Sequence, residues 1–337
     1  MPTSPATVPA TTRAAVATAY GSPEVVRIQA VPTPQPGPDE VLVRVHATTV
    51  TSGDWRVRSL TVPPGFGLAV RLMFGLRKLR QPILGSELAG TVAAVGANVT
   101  RFQVGDAVVA YSDSKLGAHA EYVAVAADGA IAPKPTVLSW EEAAALSFGG
   151  TTALHFFRLG DLQPGERLLV NGASGSVGTA AVQIAKHRGA YVTGVCSTRN
   201  ADLVRSLGAD AVIDYTERDF TDGGERYDLV MDTAGTAPFA RSRLVLNEGG
   251  RLLQVLGGLS DMLRAPLIGW TTNQRLIAGN AAGTADYQRE LVALAEAGAY
   301  RPVIDRVVPF EDIVEAHRHV DRGRKRGSVV VTVTAES

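Results

Sequence analysis

The chain has 337 residues, 45% of them hydrophobic, and its 33 basic and 33 acidic side chains cancel. A single core seldom grows past about 250–300 residues, so two domains are expected. Neutral charge gives no argument for nucleic acid as a partner. The one cysteine, Cys196, rules out intrachain disulfides and a cysteine-rich zinc site, and fits a reducing, cytoplasmic setting. It reads as a small buried hydrophobe at a strand end.

Residues 1–12 are rich in Pro, Thr and Ala and lack both the basic start and the apolar core of a signal peptide. A disordered tail is expected there. Residues 14–135 read as β-rich. Strands are predicted over 14–19, 25–31, 41–47, 87–95 and 106–111, with the proline-rich run Pro32-Thr-Pro-Gln-Pro-Gly-Pro38 as a break. Residues 67–80 mix Leu68, Val70, Leu72, Met73 and Phe74 with Arg71, Arg77, Lys78 and Arg80. Such a segment suits a membrane surface, but a helix or loop that covers the substrate cleft is the expected reading. No window is long and apolar enough for a membrane span.

The most informative segment is Leu168-Leu-Val-Asn-Gly-Ala-Ser-Gly-Ser-Val-Gly178. It reads as a buried strand, a glycine-rich turn and a helix start. Gly172, Gly175 and Gly178 leave room where the backbone turns and where phosphate must approach. Val177, Ala181, Ile184 and Ala185 recur at helical spacing, so the turn ends on a helix N-terminus, with free N–H groups for an anion. The plain alternative is a glycine turn that only permits close helix–strand packing. Context favours the nucleotide reading. Strands over 190–195, 211–213, 227–232 and 250–255 alternate with helical stretches, one beginning near a capping Asn200. This is the pattern of a doubly wound parallel sheet.

An NAD site usually carries an acid about 20 residues past the glycines, for the ribose 2′-hydroxyl. Here that place reads Val195-Cys-Ser-Thr-Arg-Asn200, without an acid. Ser197 and Arg199 suit a 2′-phosphate instead, so NADP(H) is expected. The bland alternative for Arg199 is a solvated residue at the start of a helix. After the sheet, helices are expected over 287–297 and 313–320 and a strand over 327–332. The simplest architecture is a β-rich domain built from residues 13–136 and 273–337, with a nucleotide domain over 137–272. The cleft between them would hold substrate.

Taken together, Gly85-Ser-Glu-Leu-Ala-Gly90, Val104-Gly-Asp-Ala-Val108, Gly117-Ala-His-Ala-Glu-Tyr122, Leu162-Gln-Pro-Gly-Glu166 and the glycine loop resemble the medium-chain dehydrogenase/reductase superfamily. Within it the chain is similar to the zinc-independent quinone oxidoreductase and alkenal/enoyl reductase branch, from about Ala14 onward. The resemblance implies an α/β fold: a GroES-like β-rich catalytic domain plus a Rossmann doubly wound parallel sheet, in a homodimer joined through the Rossmann sheets.

The positions where zinc-dependent relatives carry Cys, His and Cys hold Thr51, Ser86 and Phe148 here, none a good zinc ligand. The six histidines show no zinc spacing. His317 and His319 stand two apart on a helix, face different ways, and read as solvent-exposed. Without a metal, hydride transfer from NADPH to a quinone or an α,β-unsaturated carbonyl is the implied reaction, on a small hydrophobic substrate. By resemblance, the amides of Ser174 to Val177 hold the pyrophosphate. Ser197, Arg199 and Tyr215 surround the 2′-phosphate. Thr152, Thr51, Gly257 and Gly258 lie near the nicotinamide half, and Lys325 falls where some relatives touch the cofactor. Candidates for proton delivery are Tyr111, Asp54, Arg56 and water; residues 55–65 lack the tyrosine that some relatives carry there. The competing readings are an alcohol or carbonyl dehydrogenase of secondary metabolism, and a non-catalytic NADPH-binding sensor.

Overall fold

A computed structural model describes residues 8–62 and 65–333. Most of the expected tail, and Pro63 and Pro64, lie outside the described residues. The elements in chain order are β1 (Thr11–Ala17), β2 (Val26–Pro32), β3 (Glu40–Val50), α1 (Ser52–Ser59), α2 (Gly67–Phe74), β4 (Glu87–Val95) and β5 (Ala107–Tyr111). Then come β6 (Tyr122–Ala126), β7 (Ile131–Pro133), α3 (Trp140–Ala144), α4 (Ser147–Gly160), β8 (Arg167–Asn171), α5 (Ser176–His187), β9 (Tyr191–Cys196), α6 (Ala201–Ser206) and β10 (Ala211–Asp214). The chain continues through β11 (Tyr227–Asp232), α7 (Phe239–Ser242), β12 (Leu246–Gln254), α8 (Leu259–Thr271), β13 (Arg275–Ala278), α9 (Ala285–Glu296), β14 (Ile304–Pro309), α10 (Ile313–Asp321) and β15 (Ser328–Thr332).

Two sheets organise the molecule. The first runs β14-β15-β3-β4-β5-β7, with β6 also paired to β3. Its strands come from both ends of the chain, since β15 pairs antiparallel with β3 from Val329–Val50 to Thr332–Ala47. The second is fully parallel, in the order β10-β9-β8-β11-β12-β13. Numbered from β8, that is the 3-2-1-4-5-6 order of a dinucleotide-binding sheet, whose strand order reverses beside β8. Leu168, Leu169 and Val170 are fully buried in the middle of it, as an apolar run covered on both faces must be.

The sheet is longer than its apolar runs announced. β13 is its sixth strand, so it continues past the expected boundary at residue 272. β12 begins at Leu246 rather than at Gly250, through the turn glycines 249 and 250. The short β13 has only Leu276 fully inside, and so carries little periodic signal. At the other end, β1 already starts at Thr11, where it pairs with Pro32 of β2, and Thr12, Ala14 and Ala15 are buried.

One apolar core crosses between the sheets. Ala47, Ala89, Val109, Ala132 and Val330 pack in the same cluster as Leu154, Phe156, Val170 and Ala181. The catalytic and nucleotide halves are thereby held in contact along α3 and α4. A second anchor is Arg58, on α1 and fully buried. It donates to both carboxylate oxygens of Asp321 on α10, at 2.6 and 2.7 Å, and to the carbonyl of Gly21.

The histidine pair departs from expectation. His317 is fully buried and its ring sits edge-on to His119 at 5.5 Å. Burial, with His119 and Arg58 close by, holds it well below the ordinary imidazole range, so it is neutral. His319 does face the other way, but is tied to Asp305 at 2.6 Å. α10 is amphipathic, and Ile313, Ala316, His317 and Val320 form its inner face; a histidine at that spacing reads as polar in sequence and as core in the fold.

Candidate functional site

The glycine loop follows β8 directly. Gly172 has φ +81°, and a side chain there would meet Thr233 and Ala234. A Cβ on Gly178 would lie 2.1 Å from the carbonyl oxygen of Gly172, so only glycine lets α5 start so close to the turn. Gly175 is the N-cap of α5 and has no side chain to satisfy the helix end. The first helical bond runs from the Thr179 N–H to the Gly175 carbonyl, leaving the N–H groups of Ser176, Val177 and Gly178 ahead of it. These point out of the crevice beside β8, with the positive end of the helix dipole behind them.

The opposite wall of this loop comes from the C-terminal segment. The N–H of Gly327 donates to Ser174, Gly175 bridges Gly327, and the hydroxyls of Ser176 and Ser328 are 3.0 Å apart. Lys325 is thus delivered to the cleft. Its ammonium donates to the carbonyl of Gly327 at 2.6 Å. Burial pulls it down to about 8, against the opposing charges of Glu87 and Asp305.

A cavity of about 350 Å³ opens beyond β9, lined by Ser197, Thr198, Arg199, Tyr215 and Arg324. Three of these are the residues read from sequence for a 2′-phosphate. Arg324 was missed, because it is 125 positions away from Arg199 in the chain. The two arginines are coupled: Arg199 donates to the carbonyl of Arg324 at 3.1 Å. Asn200 stands at the N-cap of α6 but its side chain makes no capping bond. Its amide donates instead to the hydroxyls of Ser174 at 3.0 Å and Ser197 at 3.3 Å, tying the glycine loop to this cavity. Cys196 is buried behind it, and burial lifts its thiol to about 11, so it is an unreactive packing residue.

At the β11 end of the crevice, buried Asp232 accepts from Asn171, from the N–H groups of Ala234 and Gly235, and from that of Ala237. The carboxylate is saturated and fixes the loop that faces the glycines. Gly257 makes room for Ala278 of β13, whose methyl lies 2.7 Å from where a Cβ would sit. Gly258 caps α8.

On the catalytic side, Thr51, Ser86 and Phe148 do converge. A Cβ on Gly53 would touch both the Thr51 hydroxyl and the Phe148 ring, and the Gly85 N–H donates to Asp54 at 2.8 Å. None of the three is a metal-ligand type. Among the described residues, no group of three His, Cys, Asp or Glu could hold a metal ion. The Thr51 hydroxyl is engaged at the start of α1: it donates to Asp54 at 2.7 Å and accepts from the Asp54 N–H. Asp54 therefore already has three donors (Thr51 N–H, Thr51 hydroxyl and Gly85 N–H). Thr152 is similarly turned inward on α4, donating to the Phe148 carbonyl at 2.8 Å. Arg56 is half-buried against Trp55.

Tyr111 lies against Gly283, and is buried. Burial, with Asp113, Glu87 and Asp54 nearby, pushes its phenol well above the ordinary value. A weaker acid is a poorer proton donor, so the tyrosine suits a wall better than a catalyst. The residue that sequence reasoning passed over is Glu87. It is buried, accepts from the Thr49 hydroxyl at 2.6 Å and from the N–H groups of Ser147 and Phe148 at the start of α4. Burial outweighs those donors and raises its carboxyl to about 7. Its signal was present in the Gly85-Ser-Glu segment, but only the fold brings α4 onto it.

Comparison with known proteins agrees with this arrangement. The family profile described as alcohol dehydrogenase GroES-like domain matches residues 37–136, and the one described as zinc-binding dehydrogenase matches residues 207–331. The chain is similar to a mouse (Mus musculus) protein named NAD(P)H oxidoreductase RTN4IP1, mitochondrial, at 33% identity over 338 residues, which cover 88% of this chain and 82% of that one. It is 29% identical to the 2-methylene-furan-3-one reductase of Solanum lycopersicum, over 96% of this chain and 80% of that one. The solved structure of a quinone oxidoreductase from Coxiella burnetii superimposes with a TM-score of 0.85 at 27% identity, over 96% of this chain and all of that one. With its GroES-like and Rossmann halves, its glycine loop and its zinc positions occupied by non-ligands, the chain belongs to the zinc-independent, quinone oxidoreductase-like branch of the medium-chain dehydrogenase/reductase superfamily, whose members are nicotinamide-dependent oxidoreductases.

Proposed function

We propose that this protein is an NADPH-dependent reductase of quinones or α,β-unsaturated carbonyls. The observation that carries the reading is the cavity in which Arg199, Arg324, Ser197 and Tyr215 meet, where an NAD enzyme would place an acid. Two guanidinium groups and a hydroxyl suit a dianionic 2′-phosphate. The pyrophosphate fits the cradle at Gly172, Ser174, Gly175, Ser176, Val177 and Gly178, whose tight turn a side chain at Gly178 would force apart.

When bound, the nicotinamide supplies hydride to an electron-poor carbon of the acceptor. The chain's own residues do the rest. Lys325 gives a positive charge to the cofactor's phosphate side. The hydroxyls of Thr51 and Thr152 are spent on Asp54 and within α4, so neither serves as the proton donor. Tyr111 closes a wall. The proton that balances the hydride goes to the acceptor oxygen or α-carbon, and water is the donor we favour. No side chain at Thr51, Ser86 or Phe148 is of the type that holds a Lewis-acid metal, which weighs against alcohol oxidation. The names of the tomato and Coxiella relatives, a reductase of an exocyclic enone and a quinone oxidoreductase, support the same acceptor class.

We also propose a homodimer, joined at the free edge of β13. α8, which packs on that edge strand, exposes Leu259, Leu263, Leu267 and Trp270 on one stripe, with Trp270 88% exposed. We assign residues 137–278 to the nucleotide domain, because β13 completes its sheet. No helix among the described residues is long and apolar enough to cross a membrane. A single buried thiol suits a reducing compartment such as the cytoplasm.

The test is NADPH oxidation by the purified protein with a panel of quinones and enones. Turnover on at least one acceptor class is expected. Tight NADPH binding without turnover on any of them favours the sensor reading. Metal analysis of the same sample is expected to show no stoichiometric zinc, and stoichiometric zinc would overturn the metal-free mechanism.

A further inference from the structure

The segment before β4 carries a marked excess of positive charge. Between residues 55 and 86 there are six arginines or lysines and no acid, in a chain with 33 of each sign. Arg58 is buried in its pair with Asp321, and Arg56 is half-buried. The other four, Arg71, Arg77, Lys78 and Arg80, are exposed.

The same segment carries the apolar helix α2, which has no buried residue. Leu68 and Leu72 lie one turn apart, and Leu76 continues the row beyond the helix. Leu68 is 69% exposed and Met73 61%. This lip is anchored and does not hang free. The Tyr20 hydroxyl donates to the Gly75 carbonyl at 2.6 Å, the Arg80 N–H donates to the Phe74 carbonyl at 2.7 Å, and Leu79 is buried beneath. Arg71 folds back over the Tyr20 ring and donates to the Leu76 carbonyl. A short apolar row is therefore held outward on a rigid base, with a rim of cations and no acid within residues 55–86.

We infer that this lip docks on the surface of an anionic lipid bilayer. Apolar side chains at the edge of a basic cluster are the two signals that together hold a protein at a lipid interface, since neither alone binds firmly. Charge selects the occupant. A second copy seated on the same patch through a two-fold axis would set four cations against four cations. An anionic leaflet attracts every one of them, at roughly fivefold in partition per basic residue. The inference stands apart from the reductase reading, because it concerns binding and uses no cofactor contact.

The experiment is co-sedimentation of the full chain with phosphatidylcholine vesicles, with and without phosphatidylserine. Two variants accompany the wild type. One carries Leu68→Ser, Leu72→Ser and Met73→Ser; the other carries Arg77→Gln, Lys78→Gln and Arg80→Gln. All these side chains are exposed, so unchanged melting curves are expected and serve as the folding control. The wild type should partition onto phosphatidylserine-containing vesicles at least tenfold more than onto phosphatidylcholine alone, and each variant should lose at least tenfold of that partition. Equal binding to both vesicle types, no binding to either, or a charge variant that binds like the wild type overturns the proposal. So does a wild type that forms a larger assembly in the absence of lipid which the leucine variant loses, since the face would then belong to a second copy.

Discussion

In the proposed function the cofactor choice rests on Arg199 and Arg324, which line the same cavity although they stand 125 positions apart in the chain. Replacing either with alanine removes a charge-assisted contact worth about 2 kcal/mol, so kcat/KM for NADPH should fall roughly thirtyfold while that for NADH stays within a few-fold. Steady-state kinetics with the two cofactors reads this directly. Lys325 adds a pH dependence. Its ammonium titrates at about 8, so positive charge is present below that value and is lost as pH rises through it. KM for NADPH should therefore climb above pH 8, and Lys325→Gln should give a flat, uniformly higher KM. Glu87 acts on stability instead. Its carboxyl is raised from the ordinary value to about 7, so the folded state gains from the protonated form at low pH and loses that advantage as pH rises toward 7. The loss amounts to about 3 kcal/mol. Glu87→Gln can still accept from Ser147 and Phe148 and can donate to Thr49, so urea melts of the variant should lose most of that slope.

Among the elements, α1 and α10 are locked by one buried pair. Asp321→Ala leaves the Arg58 guanidinium without its anion inside the protein, and should cost about 3–5 kcal/mol in urea unfolding. This pair also shows why parts of the fold were legible and parts were not. The strand–turn–helix at β8 and α5 could be read because its apolar run, glycines and helical period fall within a dozen consecutive residues. The strands β3, β4 and β5 were legible for the same local reason. By contrast, β13 is four residues long, α4 opens with two consecutive glycines after Phe148, and the inner face of α10 includes a histidine. Each of those is specified by what packs on it rather than by its own sequence. The same holds for the site. Ser197, Arg199 and Tyr215 are strand-end residues of the nucleotide sheet and could be placed by spacing. Arg324 and Glu87 owe their positions to contacts across more than sixty residues of chain, as the Glu87–Phe148 bond illustrates.

For the molecule as a whole, the two sheets share one core, and the C-terminal segment that crosses from α10 to β15 closes over the glycine loop through Gly327. Cofactor binding and the packing of the halves are thus linked through one short stretch. A Cβ on Gly327 would lie 2.0 Å from the carbonyl oxygen of Val303 at a φ of +65°, so Gly327→Ala should weaken NADPH binding and stability together. The proposed dimer has its own readout: light scattering should give a dimer for the wild type and a monomer for Leu263→Asp with Trp270→Asp. The central claim is that the chain draws hydride from NADPH through the Arg199–Arg324 cavity. Its most direct measurement is the ratio of kcat/KM for NADPH to that for NADH with one quinone or enone acceptor. We predict a ratio well above one that collapses toward one in the double variant Arg199→Ala, Arg324→Ala; a wild-type preference for NADH would contradict the account.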